Sequence, residues 1–506
     1  MKTNKKIRYT FLVLFTVVLS SCTKDLLDKE PNGLNSFWNT GADAELGINA
    51  AYTPLYEEEG FGEGQFWYQA AGDDFTINNA GERSDINLTN FATTTNASGY
   101  AYARWQIFYR VIRRANDVLR NVPDIDMDEA TKNRILGEAN FMLGFAYFEL
   151  AKWYGGLPFY DINDPDNINQ PRQTKTETFN RIEQYLLTAT TQLPDWIYTG
   201  DNVGRAHLGA AWGYLAKLYA YWGKWEESKA ASDRVINSGA YALQEEYANL
   251  FSLDHEKSSE VLFGLVCAPV RHQTTITPII CLSKTLTGGA GWAYFAPTKS
   301  LADAFEANDS RRKATLAGIG ETVRLLGQDI VLSSDNINDM ETGYMCVKFM
   351  QPYWNSNAYP WDAGLDNAIL RLSDIYLLNA EAIMMLNGGG PQQAEVPIAA
   401  AANSLNIVRL RAFNGDQSKR IDAPTFNDLM RERRCELAYE GERHLDLKRW
   451  NLAQNTYRQA TTATDPRGPR QFDPIVNASF PLPQTELDNS NGILKNNPLP
   501  TYSDFE

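Results

Sequence analysis

The chain has 506 residues, of which 43% are hydrophobic and 22% are charged, a balance typical of a folded globular protein. Its formal net charge is −15. Proteins that bind nucleic acids neutralise phosphates with Lys and Arg, so this acidic excess argues against that class of function.

The N-terminal segment has the pattern of an export signal that ends in a lipidation site. Basic residues precede a short apolar run over 11–19, about half the ~20 residues that a transmembrane helix needs. The sequence Leu19-Ser-Ser-Cys22 then matches the bacterial lipobox. We expect residues 1–21 to be a cleaved signal peptide, Cys22 to be lipidated and residues 22–31 to be a polar tether. The alternative is an ordinary signal peptide with a coincidental cysteine.

Helical periodicity dominates the next part of the chain and returns near its C-terminal end. The predicted helices span 105–119, 129–153, 206–221, 225–236, 369–386 and 394–412. Residues 206–236 match the core of a tetratricopeptide unit, in which small residues let two antiparallel helices approach each other. A degenerate relative of this unit spans 369–412, and a chance helical hairpin is the alternative.

Two stretches, 57–100 and 254–366, lack this helical periodicity. The second begins with a strand-like run over 261–266 and continues into long segments rich in Thr, Gly and Pro. Loops of such length in a compact domain are usually either functional or disordered. The tryptophans at 292, 354 and 361 favour the functional interpretation.

Motif searches identify no catalytic or metal centre. The chain lacks a Gly-x-Ser-x-Gly elbow, a phosphate-binding Gly-x4-Gly-Lys loop and a His-Glu-x-x-His pair. The alternating acids at 124–128 lack the Gly and Glu of a calcium loop, and the cysteines after Cys22 are expected to be buried thiols. With 62 acidic residues, the sequence neither locates nor rules out a carboxylate pair for glycoside hydrolysis. We therefore name no catalytic residue, no metal site and no cofactor.

The most specific pattern lies in the C-terminal fifth of the chain. Residues 431–450, RERRCELAYEGERHLDLKRW, resemble the signature of the SusD/RagB family, the nutrient-binding outer-membrane lipoproteins of Bacteroidetes. Three other segments, 291–305, 370–382 and 480–498, agree with that family. We interpret the charged signature itself as a charge-laced surface that joins the helical scaffold to the rest of the molecule.

The resemblance implies a mostly α fold, in which a tetratricopeptide-like helical scaffold supports an irregular, loop-rich lobe with a few short strands. We expect one body over 32–506. Its parts are a scaffold at about 32–56, 101–253 and 367–450, a binding lobe at about 57–100 and 254–366, and a C-terminal segment at 451–506.

The resemblance also implies a function without catalysis. Such a lipoprotein is held in the outer membrane by its lipid anchor alone, faces the cell exterior, binds glycan and delivers oligosaccharide to a TonB-dependent, SusC-like transporter barrel. No nucleic acid and no cofactor are involved. Two other functions stay open on the sequence: a helical glycoside hydrolase or lyase, and a tetratricopeptide envelope scaffold that binds no glycan.

Candidate ligand residues follow from the chemistry of sugars, whose flat C–H faces suit aromatic rings and whose hydroxyls suit Asp, Asn and Arg. The candidates are Trp67, Tyr68, Asp73, Asp74, Arg83, Asn96, Tyr100, Trp292, Tyr353, Trp354, Tyr359 and Trp361. Tryptophans on helical faces are expected in the core instead, namely Trp105, Trp153, Trp212, Trp222, Trp225 and Trp450.

Overall fold

A computed structural model gives the fold. It describes residues 37–62, 64–78, 89–91, 99–160, 163–164, 170–268, 277–325, 327–351 and 364–496. The predicted signal peptide, Cys22 and the tether lie outside these residues. No helix in the described ranges is long and apolar enough to cross a membrane.

Helices make up most of the regular structure. In chain order they are α1 (Gly41–Tyr52), α2 (Gly64–Gln69), α3 (Gly99–Asn121), α4 (Glu129–Tyr154), α5 (Lys175–Gln192), α6 (Leu208–Trp222), α7 (Trp225–Asn237), α8 (Thr277–Ile280), α9 (Lys299–Ala302), α10 (Ser310–Thr315), α11 (Leu372–Leu386), α12 (Ala402–Ala412), α13 (Phe426–Glu436), α14 (Arg443–Arg449), α15 (Ala453–Gln459) and α16 (Gln484–Asn489). Short 3₁₀ helices connect several of them: Thr53–Tyr56, Val122–Asp124, Gly200–Asn202, Tyr247–Phe251, Leu253–His255, Ala399–Ala401 and Gln417–Lys419.

The ends of the long helices follow from their capping residues. The Asp128 side chain accepts the backbone N–H of Thr131 at the start of α4, and Gly155, with a φ of 74°, ends that helix. Thr174 and Glu177 form a reciprocal capping box at the start of α5. These local signals explain why the predicted bounds of α4 differ from the observed ones by a single residue.

The long helices pack in succession into one continuous array. Neighbours in the array are α3, α4, α5, α6, α7, α11 and α12. Helices α6 and α7 form the predicted tetratricopeptide-like hairpin, whose close approach is marked by the bond from the Ser228 hydroxyl to the Ala216 carbonyl at 2.9 Å. Helices α11 and α12 form its relative, but α12 begins at Ala402, so the prediction of a helix from residue 394 is wrong for 394–398, and Ala399–Ala401 form a 3₁₀ helix. The fold is therefore mostly α, with a tetratricopeptide-like scaffold, as predicted.

Strands are short in the described part of the chain. They are β1 (Phe75–Ile77), β2 (Val261–Leu265), β3 (Phe295–Pro297), β4 (Leu316–Gly318), β5 (Thr322–Leu325), β6 (Gln328–Val331), β7 (Tyr344–Cys346) and β8 (Asn367–Arg371). Their antiparallel ladders are β1–β3, β2–β8, β4–β7 and β5–β6. Residues 369–371 were predicted to be helical, and this prediction is wrong because they pair with β2 as part of β8.

Two large apolar cores stabilise the two parts of the molecule. One fills the interior of the helical array, and the other lies under β1, β3 and β7. Trp105, Trp153 and Trp450 are buried as predicted, whereas Trp212, Trp222 and Trp225 are half-buried. The thiols of Cys267, Cys281, Cys346 and Cys435 are buried and unbridged, again as predicted.

The charged signature lies in the interior, so its interpretation as a surface is wrong. Arg371, only 1% exposed, contacts Glu260 at 2.7 Å and Glu436 at 3.0 Å, and its Nε contacts Glu440 at 2.7 Å. These partners come from the start of β2, the end of α13 and the turn that follows α13. The spacing of charges along the sequence can reveal ion pairs within one helix. It cannot reveal that the partners of Arg371 lie more than sixty residues away along the chain.

The same ion network continues into the scaffold. Arg433 contacts Asp374 at 2.8 Å and Asp446 at 2.9 Å. Lys217 of α6 contacts Asp374 at 2.9 Å and Glu442 at 2.7 Å. The signature therefore joins α6, α11, α13 and α14 through buried charges, each of which has a partner of opposite sign.

Candidate functional site

An aromatic pair lies at the edge of the loop-rich lobe, just before β3. The ring centroids of Trp292 and Tyr294 are 5.4 Å apart, and both side chains are half-buried. We call this pair the aromatic rim. The neighbouring residues Gly291, Ala293 and Phe295 are buried, whereas the two rings lie side by side and partly reach the surface.

Backbone hydrogen bonds connect the rim to α8. The N–H groups of Trp292 and Tyr294 donate to the carbonyls of Ile279 and Ile280 in α8, at 3.0 and 2.9 Å. Between them Ala293 has a φ of 55°, a conformation that non-glycine residues rarely adopt and that is frequent at functional sites.

Gly291 is required just before the rim. A Cβ there would lie 2.4 Å from the carbonyl oxygen of Leu282. The close approach of the two backbones therefore depends on the missing side chain.

Trp67 and Tyr68 lie beneath the surface, each 2% exposed. Trp67 packs edge-on against Phe295 at 5.1 Å and lies 6.2 Å from the ring of Tyr294, so it supports the rim from below. The Tyr68 hydroxyl is hydrogen-bonded to that of Tyr154 at 2.9 Å, within the scaffold core. The structure thus places both predicted ligand residues in packing positions.

Asp73 and Asp74 are buried and paired with the C-terminal signature. Asp73 contacts Arg443 at 2.7 Å and Arg434 at 3.1 Å, and Asp74 contacts Arg434 at 2.8 Å. Burial alone would raise the pKa of Asp73, but the two guanidinium groups outweigh it and hold that pKa well below its ordinary value. These carboxylates fasten the lobe to α13 and α14.

Of the remaining predicted ligand residues, one lies in the described part of the chain and the others do not. Tyr100 lies in the first turn of α3. Arg83, Asn96, Tyr353, Trp354, Tyr359 and Trp361 lie outside the described residues. Tyr294 was absent from the predicted site although it stands two residues after Trp292, and the presence of a second aromatic residue so close to a candidate tryptophan was the signal that could have identified it.

Comparison with known proteins identifies the family. A family model described as the SusD family matches residues 259–502, and one described as starch-binding and associating with the outer membrane matches residues 25–220. The SusD-like protein P2 of Formosa agariphila is 25% identical over 98% of this chain and 99% of its own length. The chain belongs to the SusD/RagB family.

Solved structures agree with this assignment at the level of the fold. A SusD superfamily protein from Bacteroides vulgatus covers 91% of this chain and 99% of its own, with 23% identity and a TM-score of 0.76. The surface glycan-binding protein A of Bacteroides thetaiotaomicron, in complex with laminarihexaose, covers 91% of this chain and all of its own, with 20% identity and a TM-score of 0.73. SusD/RagB proteins are binding proteins, so the chain is not an enzyme. In the described part of the chain no cluster of His, Cys, Asp and Glu could hold a metal ion.

Proposed function

We propose that this SusD/RagB protein is a lipid-anchored binding protein of the cell surface, which captures oligosaccharide at the aromatic rim and delivers it to a TonB-dependent outer-membrane transporter. The observation that carries the proposal is the half-buried Trp292–Tyr294 pair on a backbone that is hydrogen-bonded to α8. Aromatic faces of this kind suit the C–H faces of sugar rings. The laminarihexaose bound by the related protein of Bacteroides thetaiotaomicron and the starch-binding description of the family support a glycan as the ligand.

The site extends along the lobe in this proposal. Trp354 and Trp361, with Tyr353 and Tyr359 beside them, stand in a Pro- and Asn-containing segment that directly follows the described residue Gln351. Together with Arg83, Asn96 and Tyr100 they complete the ligand surface around the rim. The packing of Trp67 and Tyr68 and the ion pairs of Asp73 and Asp74 then provide its support from below.

Calorimetric titration of laminarihexaose and maltohexaose tests the site. We expect at least one of them to bind and Trp292→Ala to weaken binding more than about tenfold, since losing a central aromatic anchor costs about 2 kcal/mol. Trp212→Ala is the matched control, because Trp212 is also half-buried but lies on α6, with the Arg234 guanidinium 4.4 Å above its ring. If both variants fold and bind the oligosaccharide with the same affinity as the wild type, the rim is not part of the ligand site.

Delivery to a transporter is tested by affinity purification in mild detergent from the native bacterium. A lid that stays bound through a transport cycle needs an interface of about 1,600 Å² or more in total. We expect a TonB-dependent barrel to co-purify at native expression. Recovery of the lipoprotein by itself would contradict the delivery step and leave glycan capture untouched.

A further inference from the structure

A cavity is lined in part by residues of β2. It has a volume of about 260 Å³ and is lined by residues of the segments 197–207, 250–266 and 365–368. We call it the side pocket. Its floor contains the buried residues Leu262, Phe263 and Leu265, and its mouth includes exposed His255 and Lys257. None of its described lining residues belongs to the rim.

Two buried polar atoms of the side pocket have no hydrogen-bond partner among the described residues. They are the hydroxyl oxygen of Tyr198, a residue only 8% exposed, and Oε1 of Glu256. Leaving a buried donor or acceptor unpaired costs free energy, and folded proteins rarely do so. A donor and an acceptor left unpaired in the same cavity indicate a ligand that satisfies both.

The backbone beside the side pocket is irregular, and this irregularity sets the position of Glu256. Lys257 has a φ of 56°, and the β2–β8 ladder is irregular on both sides of Phe263. The N–H groups of Lys257 and Cys267 donate to the Asp366 carboxylate at 3.2 and 2.7 Å. Glu256 is thereby held near Asp366, and burial together with the charge of Asp366 raises the pKa of Glu256. Bulges and left-handed residues are frequent beside binding sites.

The chemistry of the lining selects a class of ligand. Burial raises the pKa of Tyr198 to about 12, so its hydroxyl keeps its proton and can donate. Glu256 accepts, and the apolar floor suits a C–H face. Two carboxylates repel an anion, while the Arg205 guanidinium is already paired with Glu138 and Glu45. Pockets for drug-sized ligands measure about 300–1,000 Å³, so this cavity suits one ring and not a chain.

We propose that the side pocket is a second ligand site, which binds one neutral hydroxylated ring, such as a single sugar residue, independently of the aromatic rim. The choice of a sugar rests on the proposed function, because that function makes sugars the hydroxylated rings presented to this protein. The two sites would let the protein hold a chain at the rim and a single ring at the side pocket.

Saturation-transfer NMR and titration with D-glucose, D-galactose and D-glucuronate test the side pocket. We expect at least one neutral sugar to bind the wild type and to bind more tightly than D-glucuronate, which the two carboxylates repel. Tyr198→Phe and Glu256→Met should each weaken that binding about fivefold or more, the value of one hydrogen bond, because each removes the polar atom without a large change in side-chain size. Trp292→Ala should leave it unchanged.

A thermal melt provides a second measurement on the same variants. Tyr198→Phe should keep or raise the melting temperature, because it removes a hydroxyl that is unpaired in the free protein. A lowered melting temperature would show that the hydroxyl has a structural partner and would overturn the proposal.

The other outcomes separate the two sites. Absence of neutral-sugar binding, tighter binding of D-glucuronate than of the neutral sugars, or neutral-sugar binding that both pocket variants leave intact would each overturn the side pocket. In any of these cases, a loss of laminarihexaose or maltohexaose affinity in Trp292→Ala would still support the rim. Conversely, neutral-sugar binding that falls in Tyr198→Phe supports the side pocket even if the rim variant binds like the wild type.

Discussion

At the scale of single residues, Arg371 shows what one buried charge does in this fold. Its guanidinium is shared by Glu260, Glu436 and Glu440, so it neutralises acids from three different segments. Taking charges out of water is expensive, and the pairing offsets that cost only while every partner is present. The network therefore favours the one arrangement in which these segments meet, whatever its net contribution to stability.

Removing Arg371 should consequently be costly. We expect Arg371→Met to lower the free energy of unfolding by about 3–5 kcal/mol, because it leaves buried carboxylates without their counter-charge. Urea denaturation measures the change. Arg324→Met is the control, since the Arg324–Asp329 pair has a similar 2.8 Å distance but side chains that are 50% and 66% exposed. Such surface pairs contribute little, so equal effects of the two substitutions would contradict the role of the network.

The sequence predicted the kind of site, one built on aromatic side chains, better than it predicted which aromatic residues form it. Trp67 and Trp292 both stand outside the long helices, and the same reasoning selected both. What separates them is the position of Phe295, which packs edge-on against Trp67 while Trp292 stays half-exposed before β3. That difference depends on the pairing of β1 with β3, whose residues are more than 200 positions apart. Periodicity within a short window cannot detect such a pairing.

At the scale of elements, prediction succeeded where the signal is local. Helix α4 was predicted almost to its ends because Asp128 caps it and Gly155 stops it. Residues 369–371 continue the apolar pattern of α11, and only their pairing with β2, about 100 residues earlier, makes them a strand. The charged signature is a similar case, since its local spacing suits a solvated helix while its long-range partners bury it.

The elements that the ion network joins should come apart in acid. Burial alone would raise the pKa of Glu436, but Arg411, Arg371 and Arg311 outweigh it and hold that pKa well below its ordinary value. Lys217 and Arg433 do the same for Asp374. A carboxyl whose folded pKa is depressed stabilises the fold above its unfolded pKa of about 4, and this stabilisation is lost as the pH falls further.

We therefore expect the urea midpoint to change little from pH 7 to about pH 5 and to fall steeply below about pH 4. The Asp374→Asn variant should be less stable at pH 7 and should show a shallower fall in acid, because one of the responsible carboxylates is missing. Circular dichroism at several pH values measures both curves. Parallel curves for the variant and the wild type would contradict the assignment to Asp374.

At the scale of the whole molecule, the negative net charge and the N-terminal motif both favour attachment to the membrane through a lipid. A net charge of −15 opposes adsorption to anionic membrane surfaces, so attachment needs an apolar anchor. In our proposal the lipobox at Leu19–Cys22 supplies this anchor as a lipid.

The anchor is tested by Cys22→Ala. Buried acyl chains contribute about 0.8 kcal/mol per methylene, and more than one chain makes anchoring stable, so the protein should leave the membrane fraction when Cys22 is replaced. Ser21→Ala is the matched control, because it keeps a small residue before the cysteine and should remain lipidated. Fractionation after a carbonate wash, with external protease applied to intact cells, measures attachment and orientation together. A Cys22→Ala protein that stays with the outer membrane and is cut from outside would show that another part of the chain holds it there.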